Sequence, residues 1–81
     1  MNKQKNIMII KTPNDYGNST NYLLFEKKTG ISAEVIKVYD YDFIAGRRIA
    51  TKSWKTVKNG NTIKIGSYAD CMRYARNVVS V

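Results

Sequence analysis

Thr51-Lys52-Ser53-Trp54-Lys55-Thr56-Val57-Lys58-Asn59-Gly60-Asn61-Thr62-Ile63-Lys64-Ile65 is the stretch on which the fold turns. Asn59-Gly60 favours a two-residue type I′ turn, because both central residues of that turn need positive φ. The flanking segments then read as antiparallel strands, Arg48 to Lys58 and Thr62 to Ile65. A turn of fixed length also fixes the register. Lys58 faces Asn61, Thr56 faces Ile63 and Trp54 faces Ile65, while the opposite face pairs Val57 with Thr62 and Lys55 with Lys64. One face therefore carries Trp54, Ile63 and Ile65 and is expected to meet the core. The other carries Ser53, Lys55, Thr62 and Lys64 and is expected to meet water.

Downstream of the hairpin, Ser67 reads as a helix N-cap, with Asp70 three residues on completing a capping box. Tyr68, Met72, Ala75 and Val79 recur at helical spacing and form one apolar stripe, flanked by Cys71 and Val78. Arg73 and Arg76 lie nearer the negative end of the helix dipole. Upstream, Ile7 to Ile10 is a continuous apolar run of the kind found in strands covered on both faces, which suggests a central position. Pro13 to Asn21 collects turn residues and reads as a long, mobile connection. Tyr22 to Glu26 is a second strand, and Gly30 supplies the left-handed residue of the next turn. Ile31 to Tyr39 reads as a third strand on its β-branched content, with a helix from Ser32 as the competing reading. Tyr39-Asp40-Tyr41-Asp42 is expected to be a bend, and Gly46 breaks the chain before Arg47. The fold class that follows is α+β: a small two-layer domain with a mainly antiparallel sheet of 4–5 strands and one C-terminal helix, about residues 67–80, on one face.

The chain has 81 residues, enough for a single domain with a thin core. Hydrophobic residues make up 43% and charged residues 25%, a globular composition. Fourteen Lys and Arg against six Asp and Glu leave a formal charge of +8, which favours an anionic partner. There is no histidine and one cysteine, so a zinc site and an intrachain disulfide are both excluded. The apolar run after the basic start is too short for a signal peptide, and no stretch is long enough for a membrane helix. With the lone Cys71, these features point to a cytoplasmic protein with no membrane partner.

Catalysis has little support in the residues. Histidine is missing, Asp40 and Asp42 lack the companions of a calcium loop, and Cys71 has no base to activate it. No glycine spacing fits a nucleotide-binding loop. The expectation is a chain that is not an enzyme, with no cofactor and no small-molecule substrate. Binding chemistry is better represented. Lys55 opposite Lys64 is a mildly unfavourable pair in water that becomes favourable against a polyanion. Arg47 and Arg48 continue the charge at one end of the strand. Lys52 falls on the other face by strict alternation, though residues near strand ends often wrap round. Arg73 and Arg76 are further candidates on the helix. Tyr16, Tyr41 and Tyr74 are the tyrosines expected at the surface, where they serve either base stacking or protein contact.

The run from Arg47 through Trp54 and the Asn59-Gly60 hairpin to Ile65-Gly66-Ser67-Tyr68-Ala69 resembles the AP2-type domain found at the N-termini of some tyrosine recombinases of mobile elements. The resemblance covers about residues 22–79 and implies a three-stranded sheet laid in the DNA major groove. It makes Lys52, Lys55 and Lys64 the groove-facing candidates. The leading expectation is thus a non-catalytic basic module that engages nucleic acid or a ribonucleoprotein. The alternative is a small phage-type protein inhibitor of a host defence complex, of the anti-CRISPR kind, acting by protein–protein contact.

Overall fold

The computed structural model describes residues 6–13 and 20–80. In chain order these form β1 (Ile7–Pro13), β2 (Thr20–Glu26), β3 (Ser32–Asp42), β4 (Arg47–Lys58), β5 (Asn61–Gly66) and α1 (Tyr68–Val79). The strands make one antiparallel sheet in the order β1-β2-β3-β4-β5, and α1 packs across β2 to β5 on one face. This is the expected small α+β domain, with Ser32 to Tyr39 settled as strand. The long connection expected over 13–21 falls mostly outside the described residues. Its two ends lie in strands, Pro13 closing β1 and Thr20 opening β2.

The turns form for the reasons the sequence supplies. Asn59 and Gly60 have φ of 53° and 79°, the left-handed pair a type I′ turn requires. Gly30 sits at φ 77°, its N–H donating to Glu26 C=O at 2.9 Å. The Glu26 side chain folds back over the same turn and accepts from Lys28 N–H at 2.6 Å. Ser67 caps α1 by accepting from Asp70 N–H at 3.2 Å. The Asp70 carboxylate is engaged by Arg73 Nη1 at 3.4 Å in place of the reciprocal capping-box bond.

The core is the layer between sheet and helix. Leu24, Ala33, Val35 and Thr56 of the sheet meet Cys71, Met72, Ala75 and Val79 of α1, all buried. Ladder partners share a face, so Ile9–Leu24–Ala33 and Lys11–Tyr22–Val35–Thr56 are rows on the helix side. Among the described residues Thr56 is the one polar strand residue with no exposed surface, and its Oγ1 donates to Cys71 C=O at 2.9 Å. The helix is therefore tied to the middle of the sheet by a bond as well as by packing. At its N-terminal end Tyr22, Trp54 and Tyr68 form an aromatic triad with ring centroids 5.0 to 6.2 Å apart. The expected stripe is rotated slightly about the helix axis. Cys71 is fully buried, and Tyr68 lies at the rim, packed on its two aromatic neighbours.

Three expectations are corrected. The β4–β5 register holds at Lys58–Asn61 and Val57–Thr62 and then slips, giving Thr56–Lys64, Lys55–Ile65 and Trp54–Gly66. Ile63 is an extra residue on β5, and one extra residue exchanges the faces of everything beyond it. Ile63 and Ile65 are consequently exposed rather than in the core. Tyr39 to Asp42 is strand, not bend. β3 and β4 continue past the rest of the sheet with Tyr39–Ala50, Asp40–Ile49, Tyr41–Arg48 and Asp42–Arg47 as partners. Finally, β1 is an edge strand, with Met8, Ile9 and Ile10 exposed.

This packing is open to two tests. Thr56→Val keeps the shape but removes the bond to the helix, and should lower the urea unfolding free energy by about 1 kcal/mol. The second test concerns alkaline pH. Burial of the Tyr68 phenol, the adjacent Tyr22 and its hydrogen bond together raise the Tyr68 pKa above the ordinary value of 10.0, with Arg76 opposing them. The folded chain thus holds this proton more tightly than the unfolded chain does. Its contribution to stability is complete below about pH 10 and is lost as pH rises through the raised value. Thermal melts from pH 8 to pH 11 should show that loss in the wild type and a smaller one in Tyr68→Phe.

Candidate functional site

The slipped register disperses the residues expected to form a basic face. Lys64 lies opposite Thr56 and so on the helix side of the sheet, whereas Lys55 lies opposite Ile65 on the outer side. Lys55 and Lys64 are therefore not partners, and the groove-facing set of Lys52, Lys55 and Lys64 implied by the AP2-type resemblance is not assembled. Lys52 sits at a bulge in β4, where Lys37–Trp54 is followed on the ladder by Tyr39–Ala50. Arg73 and Tyr74 are exposed on α1, with Arg73 paired to Asp70, and Arg76 is half-buried. Tyr16 lies outside the described residues.

What the fold does bring together is Tyr41, Arg47 and Arg48, on a two-stranded arm. The molecule measures 51 × 20 × 20 Å. From Tyr39 to Asp42 the arm's ladder is about 13 Å long, at ~3.3 Å per residue. The base of the arm is set by the β4 bulge. Thr51 Oγ1 donates to Val38 C=O at 2.8 Å and accepts from Ser53 N–H at 3.1 Å. One side chain thereby satisfies backbone groups that the interrupted ladder leaves over.

The tip is braced in the same way. Asp42 Oδ1 accepts from Ile44 N–H at 3.0 Å and Ala45 N–H at 3.2 Å, while Gly46 N–H donates to Asp42 C=O at 2.7 Å. Gly46 adopts φ 66°, which returns the chain into β4. This geometry drives Phe43 and Ile44 outward, leaving them 87% and 100% exposed. The Tyr41 ring meets Phe43 edge-on at 4.9 Å between centroids. Strand alternation puts Tyr39, Tyr41 and Arg48 on one face of the arm and Asp40, Asp42, Arg47 and Ile49 on the other.

The arm is thus a two-stranded projection with an apolar, aromatic tip and a balanced charge of two Asp and two Arg. Phe43 and Ile44 were not singled out by sequence reasoning. The signal was present, since Asp42 and Arg47 frame a four-residue turn that closes on Gly46. Among the described residues no three His, Cys, Asp or Glu side chains converge as a metal-binding group. No helix there is long and apolar enough to cross a membrane. No family model, no curated protein and no solved structure matches the chain.

Proposed function

We propose that this chain is a non-catalytic binding module whose contact element is the β3–β4 arm, received by an apolar recess on a protein partner. The observation that carries this reading is the exposure of Phe43 and Ile44 on a turn held by three hydrogen bonds. Burying one such side chain is worth about 1.5–3 kcal/mol, and within the fold Phe43 meets the Tyr41 ring while Ile44 is fully exposed. Single exposed apolar residues are ordinary on protein surfaces, but two adjacent ones beside Tyr41, on a braced projection, make a concentrated patch. Aromatic residues and arginine are also the types that dominate binding hot spots, and Arg47 and Arg48 flank the tip. The balanced charge of the arm suits a protein recess better than a phosphate backbone.

The test is a photoreactive amino acid in place of Ala45, irradiated in extract of the source cells. Discrete protein adducts are expected, and their yield should fall more than about tenfold in Phe43→Ser/Ile44→Ser, as removal of a hot-spot pair requires. Adducts insensitive to the double substitution would overturn the reading. The charge of +8 supports a second reading, in which the arm or another basic surface engages nucleic acid. That reading predicts binding to random DNA or RNA that weakens steeply with salt. Arg47→Ala/Arg48→Ala should then reduce the slope of log K against log salt by about 0.9 for each phosphate no longer neutralised.

A further inference from the structure

The outer face of the sheet, opposite α1, is largely apolar, and none of the described elements covers it. Ladder partners place Met8, Phe25 and Ser32 in one row and Ile10, Leu23, Glu34, Val57 and Thr62 in the next. A third row holds Ile36, Lys55 and Ile65. Met8, Ile10 and Ile65 are 43%, 41% and 64% exposed, and Leu23, Phe25, Ile36 and Val57 are half-buried among them. A sheet with one wet face normally alternates apolar and polar residues along its strands. Here Ile7-Met8-Ile9-Ile10, Leu23-Leu24-Phe25 and Val35-Ile36 are continuous runs, the pattern of strands covered on both faces.

From this arrangement we infer that the outer face is a self-association surface, on which a second copy of this chain packs face to face about a two-fold axis. Charge selects the occupant. In a chain of net charge +8, the charged side chains in these rows are one acid and one base, Glu34 on β3 and Lys55 on β4. They lie diagonally across the same ladder, near the middle of the patch, and neither forms an ion pair among the described residues. A two-fold axis in the interface plane, crossing midway between them, sets each Glu34 against the other copy's Lys55. Such reciprocity is what an isologous interface requires. The remaining cations among the described residues lie on the helix side, the turns, the arm or the helix, away from the contact.

The dimension of the patch sets the strength. Strand spacing of ~4.8 Å and a rise of ~3.3 Å per residue give about 400–600 Å² from each copy. The total stands at the low end of specific interfaces, so the dimer is concentration-dependent rather than obligate. Repulsion between two copies of charge +8 opposes contact at low ionic strength and is screened by salt. Dimerisation therefore strengthens as salt is added, the reverse of the dependence expected for an acidic partner or a nucleic acid.

The experiment is sedimentation equilibrium of the purified chain up to about 500 µM, in about 50 mM and 500 mM salt. The expected result is a concentration-dependent rise from 9.3 kDa towards twice that mass, steeper at high salt. Ile65→Lys, at an exposed position that the core does not use, should remain monomeric with an unchanged circular dichroism spectrum. Glu34→Lys and Lys55→Glu should each weaken the dimer at least about tenfold, as like charges placed opposite each other do. An equimolar mixture of those two variants should form a heterodimer at least as tight as the wild-type homodimer, because both charge pairs are then complementary. A wild-type chain that stays monomeric throughout would overturn the inference. So would a mixture no heavier than its separate components.

Discussion

One helix of twelve residues must serve as the cover for a five-stranded sheet, and most of the structure follows from that constraint. At ~1.5 Å per residue α1 is about 18 Å long, enough to reach across β2 to β5, while at the β1 edge Ile7 packs on the core and Met8, Ile9 and Ile10 stay exposed. The core is accordingly thin: Leu24, Ala33, Val35 and Thr56 from the sheet against four residues from the helix. In such a layer a single enclosed polar group is costly unless it is paired. Thr56 meets that condition by bonding to Cys71 C=O, so the same residue fills the centre of the core and fixes where the helix lies. The aromatic triad of Tyr22, Trp54 and Tyr68 closes the end at which the helix begins, where aliphatic cover runs out.

The elements that sequence alone revealed are those specified by local chemistry. Asn59-Gly60 and Gly30 mark positive-φ turns that side-chain-bearing residues resist, and Ser67 marks a cap whose hydroxyl has an evident backbone donor to satisfy. The register of β5 was not legible beyond the first two pairs. The bulged residue is Ile63, with no glycine or proline to announce it, and what selects the bulge is tertiary. It brings Gly66 opposite Trp54, immediately before the cap of α1. The extension of β3 through Asp40 and Asp42 was hidden for a related reason. Aspartate is depleted in strands of ordinary sheets, yet a ribbon wetted on both faces imposes no burial penalty on it. Asp42 is moreover the residue that braces the tip.

The candidate site shows how strongly one residue of slippage acts on which side chains share a face. Lys55 and Lys64 were expected to be neighbours because an unbroken ladder leaves no other arrangement. With Ile63 inserted they stand on opposite sides of a sheet, and a basic stripe becomes two separate charges. Composition is insensitive to this difference, so the charge of +8 survives as a property of the whole chain while the surface expected to display it does not form. Tyr41, Arg47 and Arg48 do meet, because all three belong to one hairpin whose pairing is local. Residues related by short loops can be grouped from sequence. Residues related through a bulge cannot.

Charge and apolar surface act at different ranges in this molecule, and together they set what the exposed faces can do. The long-range field of a +8 chain repels other copies over roughly a Debye length, about 10 Å in ordinary buffer, and so discourages indiscriminate contact through Met8, Ile10 and Ile65. Within that distance the local pattern takes over. Apart from Ser32, Thr62 and one charge of each sign, the rows that define the outer face are apolar, and any partner lying on them must match Glu34 and Lys55 or bury them unpaired. The two sheet edges differ in the same sense. β5 is shortened and bulged and carries Lys64, devices that resist further strand pairing, whereas β1 has an unbroken register and Lys11 as its single charged residue. Specificity on the outer face thus comes from a few polar groups set into an apolar field, and the excess of lysine elsewhere keeps that field from associating without selection.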